Sequence, residues 1–463
     1  MKCLWHYSII ILIAGLLFCS CNPSSKTNQA SSLSTEDSLL ISKWKSESRL
    51  YYASNQDSFA NIQLQIASKY QQANQLGNWL NCYDTIIRSY RRHDQLEKAI
   101  SYFEKLYKDI WQEPVDSFSL ITLAESNRQI GYIYYNIKSE YAKALPFYDE
   151  GIRLITKANG WDPEGGRTFY KAAGNCSARM DDYEKSINYH QRNVQICRQF
   201  NDTTNLFRGL NDLGVPYQLT GQLAAAEKVF RESYQLAAVF DSLEDLIDAS
   251  NNLADIFIDR NELDSALKYN GLCFEFLKRW ENKEPDSEAD VYKQQGELFS
   301  LQKKYADSEK SYSMAILLMG QSDEYRRREC GKIYVEFGDM FLAQNKDQQA
   351  LHKFQSALNC FIPEFNNDDV TVTPDSSMIY DENGLFQSCE GKGDANMHLF
   401  QKTGDRKYLA EAALNYRAAK IVLDKRERGM ENESSRVVFI ELVTDIIHKS
   451  KEADSLVKVY FTD

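Results

Sequence analysis

The 463-residue chain carries 66 acidic against 54 basic side chains, a formal net charge of −12. That balance repels phosphate backbones and anionic lipid headgroups, and no Lys/Arg-rich block reverses it locally, which argues against nucleic acid as a partner. With 8 Pro and 21 Gly beside 12% aromatic residues, the chain has few helix breakers and ample core material, a composition that predicts an all-helical fold.

The first 20 residues differ from the rest: Lys2, an apolar run from Ser8 to Phe18, then Cys19-Ser20-Cys21 and the polar stretch Asn22 to Lys26. A charged start, about ten apolar residues and a small residue before the cleavage point meet the physical demands of export, and the run is short for an uncleaved membrane helix. The segment resembles a bacterial lipoprotein signal peptide. That resemblance implies removal of residues 1–20, lipidation of Cys21 and anchoring in the cell envelope, on the periplasmic or outer-membrane face. Acyl chains each contribute roughly 0.8 kcal/mol per buried methylene, so several hold a protein without a spanning segment. Residues 21–35, rich in Ser, Asn and Thr, read as a flexible tether.

Residues 36–79, with Leu39, Leu40, Trp44, Leu50, Ile62, Leu64, Ile66 and Tyr70, have the pattern of a helix pair capping one end of a stack. Residues 80–361 then repeat one pattern: a small residue, an aromatic three places on, a small residue twelve places on and an aromatic four beyond that. Gly214, Tyr217, Ala226 and Phe230 form the clearest copy, and Gly338, Phe341, Ala350, Phe354 and Gly296, Phe299, Ser308, Tyr312 repeat it. Partial copies run through Ala254, Phe257, Ala266; Ile87, Tyr90, Ala99, Phe103; Gly174, Ser186, His190; and, with one extra loop residue, Gly131, Tyr134, Ala144, Tyr148. A small residue on one helix lets a second approach closely, and an aromatic side chain fills the remaining gap. Polar stops such as Arg260-Asn261-Glu262 and Thr220-Gly221-Gln222 separate the helices.

These offsets resemble the tetratricopeptide repeat. The resemblance implies an all-α, right-handed superhelix of about 7–9 helix pairs. Successive small positions lie 40 and 42 residues apart, against about 34 in the standard repeat, so either the helices or their connections are longer. Pro114, Pro163, Pro285 and Pro363 fall between pairs, whereas Pro146 and Pro216 fall inside predicted helices; Pro146 is expected in a first turn and Pro216 at a kink.

Residues 362–383 are rich in Pro, Asp and Asn without helical period and read as a loop or linker; helical pattern resumes over 384–463. The stretch from Lys402-Thr403-Gly404-Asp405 through Tyr408-Leu409 and Ala412-Ala413 to Ser434, Ser435 and Phe439 resembles the linker that joins tetratricopeptide repeats to a CHAT domain, a caspase-like protease fold. In that family the protease domain follows where this chain stops, so the resemblance implies a binding role and no catalytic pair; His448 and Cys389 lie outside any caspase-like context.

Seven cysteines follow Cys21, an odd number without CxxC spacing, and read as single thiols packed in helices. Paired acids, a base beside a nucleophile and a phosphate-cradling glycine loop are missing, so the sequence assigns no catalytic residue, metal or cofactor. In tetratricopeptide proteins the first helix of each pair lines a concave groove. Carried onto this chain, the resemblance places Arg128, Tyr132, Lys171, Asn175, Arg208, Asn211, Asn251, Asn252 and Asp255 there, with Gln129, Tyr135, Lys293 and Glu297 alongside. Asn211 and Asn251 hold equivalent positions in adjacent repeats, and side-chain amides both donate to and accept from an extended peptide backbone. The reading is a non-catalytic scaffold for a protein or peptide partner at the cell envelope. Its alternatives are the regulatory part of a split CHAT protease system and a glycan-binding outer-membrane lipoprotein; the scattered Trp residues disfavour the latter.

Overall fold

The structure, a computed structural model, describes residues 32–138, 140–158, 163–320, 327–427 and 433–461, with backbone alone at 163–166, 433–439, 441 and 461. The expected leader, Cys21 and most of the tether lie outside the described residues. Nineteen α-helices and no strand occur among the described residues, nine pairs and one over, as the repeat pattern requires.

The chain divides into two compact units, residues 1–130 and 131–463. The first holds α1 (Thr35–Tyr51), α2 (Gln56–Gln72), α3 (Leu76–Arg92), α4 (Leu96–Asp109) and most of α5 (Ser117–Tyr132). Ile62, Ile66 and Tyr70 of α2 are buried, but Leu39 and Leu50 of α1, read as part of an apolar face, are exposed. Among the described residues α1 packs chiefly on α2, and these side chains lie on its other face.

The second unit runs from a π-helical turn (Ile133–Ile137) through α6 (Tyr141–Lys157), α7 (Pro163–Arg179), α8 (Tyr183–Gln199), α9 (Thr203–Leu219), α10 (Leu223–Val239), α11 (Leu243–Asp259) and α12 (Leu263–Arg279). It continues with α13 (Pro285–Leu301), α14 (Tyr305–Met319), α15 (Arg327–Ala343), α16 (Asp347–Phe361), α17 (Asn383–Thr403), α18 (Arg406–Glu427) and α19 (Glu433–Phe461). The extra residue expected in a loop near Gly131 is instead absorbed in the helix. The Lys138 N–H donates to the Ile133 carbonyl at 3.0 Å, a wide turn that takes up one residue without lengthening the connection. Pro146 stands in the second turn of α6, not its first, and Pro216 lies in the last turn of α9, where its carbonyl still accepts from the Thr220 N–H at 3.2 Å.

From Pro163 to Arg279 every helix is 17 residues long and starts 20 residues after the last. The metronome is the turn. Asp181, Asn201, Gly221, Asp241 and Asn261 each take a left-handed backbone, with φ between 48° and 72°. Most L residues lose roughly 1–2 kcal/mol there, whereas Gly, Asn and Asp tolerate it, and the following N–H then closes back on the helix end. The N–H groups of Asp182, Asp202, Gln222 and Glu262 bond the carbonyls of Ser177, Cys197, Tyr217 and Phe257 at 2.7–2.9 Å. Two such helices already fill 34 residues, so the long repeat comes from long helices and not from long connections.

Within a pair, the first helix presents a glycine to a ring on the second. A Cβ at Gly214 would lie 2.2 Å from the Phe230 ring, at Gly338 2.6 Å from Phe354, and at Gly174 2.6 Å from His190. Between pairs, the first helices α7, α9, α11, α13 and α15 each touch the next, while contact between successive second helices is sparse, so the first helices form the inner side of the curve. The curve closes on itself: α19 touches α8, and the buried Arg426 of α18 bonds Asp381 at 2.8 Å and Asp181, in the turn before α8, at 3.1 Å.

Residues 362–382 are fastened to this body. The fully buried Lys392 of α17 donates to the Val372 carbonyl at 2.8 Å and to Gln355 Oε1 at 2.5 Å, and burial pulls its ammonium down to about 8.

Replacing Gly214 by Ala is expected to force the Phe230 ring aside at a cost of about 1–3 kcal/mol, read as a lower thermal midpoint by circular dichroism. Gly271→Ala, in α12 with open space where its Cβ would stand, is the matched control and is expected to hold or raise the midpoint.

Candidate functional site

The helix-to-helix polar contacts along the inner side define the candidate site. Lys171 (α7) pairs with Asp212 (α9) at 3.1 Å, and Arg208 (α9) donates to Asp245 (α11) at 3.0 Å. Gln218 reaches Asp259 at 2.7 Å, Gln294 (α13) reaches Asp255 (α11) at 2.6 Å, and Lys293 pairs with Glu336 (α15) at 3.3 Å. Each first helix is thus riveted to the next by one or two such bonds.

Among the expected groove residues, Lys171, Asn175, Arg208, Asn211, Asn251, Asn252 and Asp255 fall on the successive first helices α7, α9 and α11 of the second unit. Tyr132 opens that unit and is 38% exposed. Arg128 belongs to the first unit, where Glu125 accepts two hydrogen bonds from it at 2.7 and 2.9 Å. Lys171, Arg208 and Asp255 already have protein partners, so their first role is to join helices.

Asn211 and Asn251 differ. Both side-chain oxygens are buried without a hydrogen-bond partner among the described residues, at the same place in neighbouring repeats. A buried amide oxygen left unbonded forfeits about 1–3 kcal/mol, which a bound N–H would recover. One and two turns further along α9 stand Val215 and Leu219, exposed at 39% and 52%; the corresponding positions of α11 are Asp255 and Asp259.

Acidic groups crowd the same side. Burial, then the neighbouring Asp245, Glu244 and Asp290, raises the Asp248 carboxyl to about 7; burial raises Asp255 and Asp290 to about 6. Burial with Glu336 and Asp255 lifts Glu297 to about 8, and burial with Glu336, Glu390 and Asp394 lifts Asp339 to about 7. The tips of Asp248, Asp290 and Asp339 meet water, yet the closed curve surrounds them with protein, which is why they behave as desolvated groups. Lys293 lies among Glu336, Asp290, Asp255 and Glu297, which hold its charge firmly. Sequence reasoning missed Asp248, Asp290, Gln294, Glu336 and Asp339. The signal was present: Asp248 and Asp290 stand six residues before Ala254 and Gly296, the offset that Arg208 has from Gly214.

This arrangement fits an extended chain with amide hydrogen bonds and positive side chains. Aromatic platforms of the kind that hold sugars are not formed by Trp79 and Trp111, whose rings pack on each other 5.1 Å apart within the first unit.

The raised carboxyls make stability depend on pH with a definite sign. Their folded-state values exceed the ordinary carboxylate range, so the native protein binds more protons than the unfolded chain, and stability is lost as pH rises through about 6 to 8. The buried His190, pushed below its ordinary value by burial, opposes this as a single group. Glu329, which burial raises but Lys332 and Arg328 outweigh to leave at about 2, acts only at lower pH. A higher thermal midpoint at pH 5.5 than at pH 8 is expected, and Asp248→Asn with Asp339→Asn should raise the pH 8 value and flatten the slope.

Residues 166–238 match the tetratricopeptide repeat family. The apo form of RapI shares the fold, with a TM-score of 0.52 at 13% identity over 84% of this chain and 99% of that one. Looser likenesses are the Rap conjugation gene regulator of plasmid pLS20 in complex with the Phr* peptide (TM-score 0.47, 14% identity, 86% and 98% covered) and a tetratricopeptide repeat protein from Parabacteroides merdae (0.41, 12%, 70% and 98%). No curated protein matches. The family match falls on α7 to α10, inside a stack of helix pairs whose repeated small and aromatic positions continue beyond it at Gly296 and Gly338.

Proposed function

We propose that the inner row of first helices in the second unit holds an extended, positively charged segment of a partner protein. The observation that carries this reading is the pair of unpartnered amide oxygens on Asn211 and Asn251, one repeat apart beside the crowded carboxyls of Asp248, Asp255 and Asp290. Backbone N–H groups of the guest satisfy the amides, whatever its sequence, and its Lys or Arg side chains take the charge that the carboxyls now hold against one another. Val215 and Leu219 accept an apolar side chain further along. The role is binding, not catalysis.

We further propose that the protein works at the cell envelope, carried there by lipid on Cys21. That rests on the leader-like sequence of residues 1–20, and metabolic labelling with a fatty acid, lost in Cys21→Ser, is its expected sign.

Crosslinking in cells followed by affinity capture tests the binding reading. Capture of a partner by the Asn211→Ala, Asn251→Ala double variant is expected to fall at least about tenfold, the loss of one to two hydrogen bonds to a desolvated site, while the thermal midpoint barely moves. Complexes should also loosen between 0.1 and 0.5 M salt, as screening weakens partly exposed charge pairs. Unchanged capture by the double variant would defeat the proposal. A caspase-like chain among the captured partners would make the regulatory reading, which rests on the linker resemblance over residues 402–439, the form that the scaffold takes.

A further inference from the structure

Five of the seven cysteines in the described residues, Cys82, Cys176, Cys197, Cys273 and Cys389, are buried as packing residues. Cys330 and Cys360 are not; each is only half-buried. They lie at the open end of the α15–α16 hairpin, and the register of that hairpin sets them opposite each other. Gly338 packs on the ring of Phe354, and two turns further out Gly331 packs on the ring of Phe361, so Cys330 and Cys360, each the chain neighbour of one of that last pair, lie at the same end of the hairpin. The helices are close there, with a Cβ at Gly331 only 2.8 Å from the Phe361 ring, and the two thiols lie near enough to shift each other's ionisation in opposite directions.

We propose that Cys330 and Cys360 form a disulfide, made by exchange with a small-molecule disulfide such as oxidised glutathione, that locks the α15–α16 hairpin where it meets the C-terminal helices. In the first step the Cys330 thiolate attacks one sulfur of the oxidant, a mixed disulfide forms and one glutathione leaves as thiolate. The Cys360 thiolate then attacks the Cys330 sulfur of that mixed disulfide, and the second glutathione leaves. Two protein thiols have lost two electrons and two protons, and the oxidant's disulfide has become two thiols. Cys330 suits the first attack, because the neighbouring Cys360 draws its thiol below the ordinary range, while Cys360 itself is raised.

The location gives the bond a consequence. Phe361, next to Cys360, accepts a hydrogen bond from Tyr380 at 2.8 Å and fills the space above Gly384, while Arg328, two residues before Cys330, holds Glu382 at 2.8 Å. The disulfide therefore fixes the joint through which the last standard repeat carries the C-terminal helices. It closes a loop of about 30 residues in the unfolded chain, well inside the range where cross-links stabilise.

The test uses the full chain, fully reduced, freed of reductant and exposed to oxidised glutathione, then quenched by alkylation, digested and mapped by mass spectrometry. A linked peptide pair containing Cys330 and Cys360 is expected, with Cys82, Cys176, Cys197, Cys273 and Cys389 still alkylated. Reductant should then lower the thermal midpoint of the oxidised protein by several degrees, and this shift should vanish in Cys330→Ser and in Cys360→Ser. In each variant the remaining cysteine should instead retain glutathione. The proposal is overturned if both cysteines stay alkylated after oxidation of the folded protein and after refolding with the oxidant present. It is equally overturned if wild-type Cys330 and Cys360 accumulate glutathione without joining.

Discussion

A ring laid against bare backbone is the interaction on which the rest of the second unit depends. Helices that carry ordinary side chains at their crossing stand about 8–10 Å apart, and a glycine lets one of them sink toward the other. Phe230 on Gly214, Tyr312 on Gly296 and Phe354 on Gly338 use that permission, and no side chain larger than hydrogen fits at the glycine. The contact fixes the angle and the register of each pair together. Once both are fixed, each helix end falls where a left-handed Asn, Asp or Gly turns the chain, and the first helices of successive pairs are brought close enough to bond to one another.

That closeness creates the opposite condition on the inner side. Carboxyls that would be dispersed on an isolated helix converge, and five of them rise into the range 6 to 8. Lys293 stands among three of these acids, Asp255, Asp290 and Glu297, while its ion pair is with Glu336 at 3.3 Å. Stability in this fold is carried by the ring-on-glycine contacts between helices of a pair, and it tolerates a face that is electrostatically unfavourable when empty. On the proposed reading, that like-charged face is where a segment of the other sign would sit.

Much of the architecture was legible in the sequence because the repeat is enforced by sterics that admit few residue types. The glycines 174, 214, 296 and 338, the rings that meet them and the polar stops at 221 and 261 all carry their structural role in their identity. Two features resisted. The extra residue after Gly131 looks like loop in one dimension, but a helix absorbs it by one wide turn, which no local residue type announces. The acidic lining was hidden for a different reason: Asp248, Asp290 and Asp339 read as solvated helix surface and remain exposed, and only the approach of successive first helices brings their charges near one another's. Amide positions such as Asn211 and Asn251 could be placed by offset, whereas the bond that Gln294 makes to Asp255 depends on a helix 40 residues away.

Arg426 gives the closed curve a kinetic meaning. Its guanidinium sits between Asp181 and Asp381, at the point where the C-terminal helices return to α8. On the proposed reading, a guest chain inside such a loop would leave by threading along the axis, or sideways when the closure around Arg426 parts. Its residence time would then follow the lifetime of that closure and the length of the guest, and not only the sum of contacts along the lining. A short segment would come and go by its ends, while a long one, or one flanked by folded domains, would be retained by topology even where each individual contact is weak.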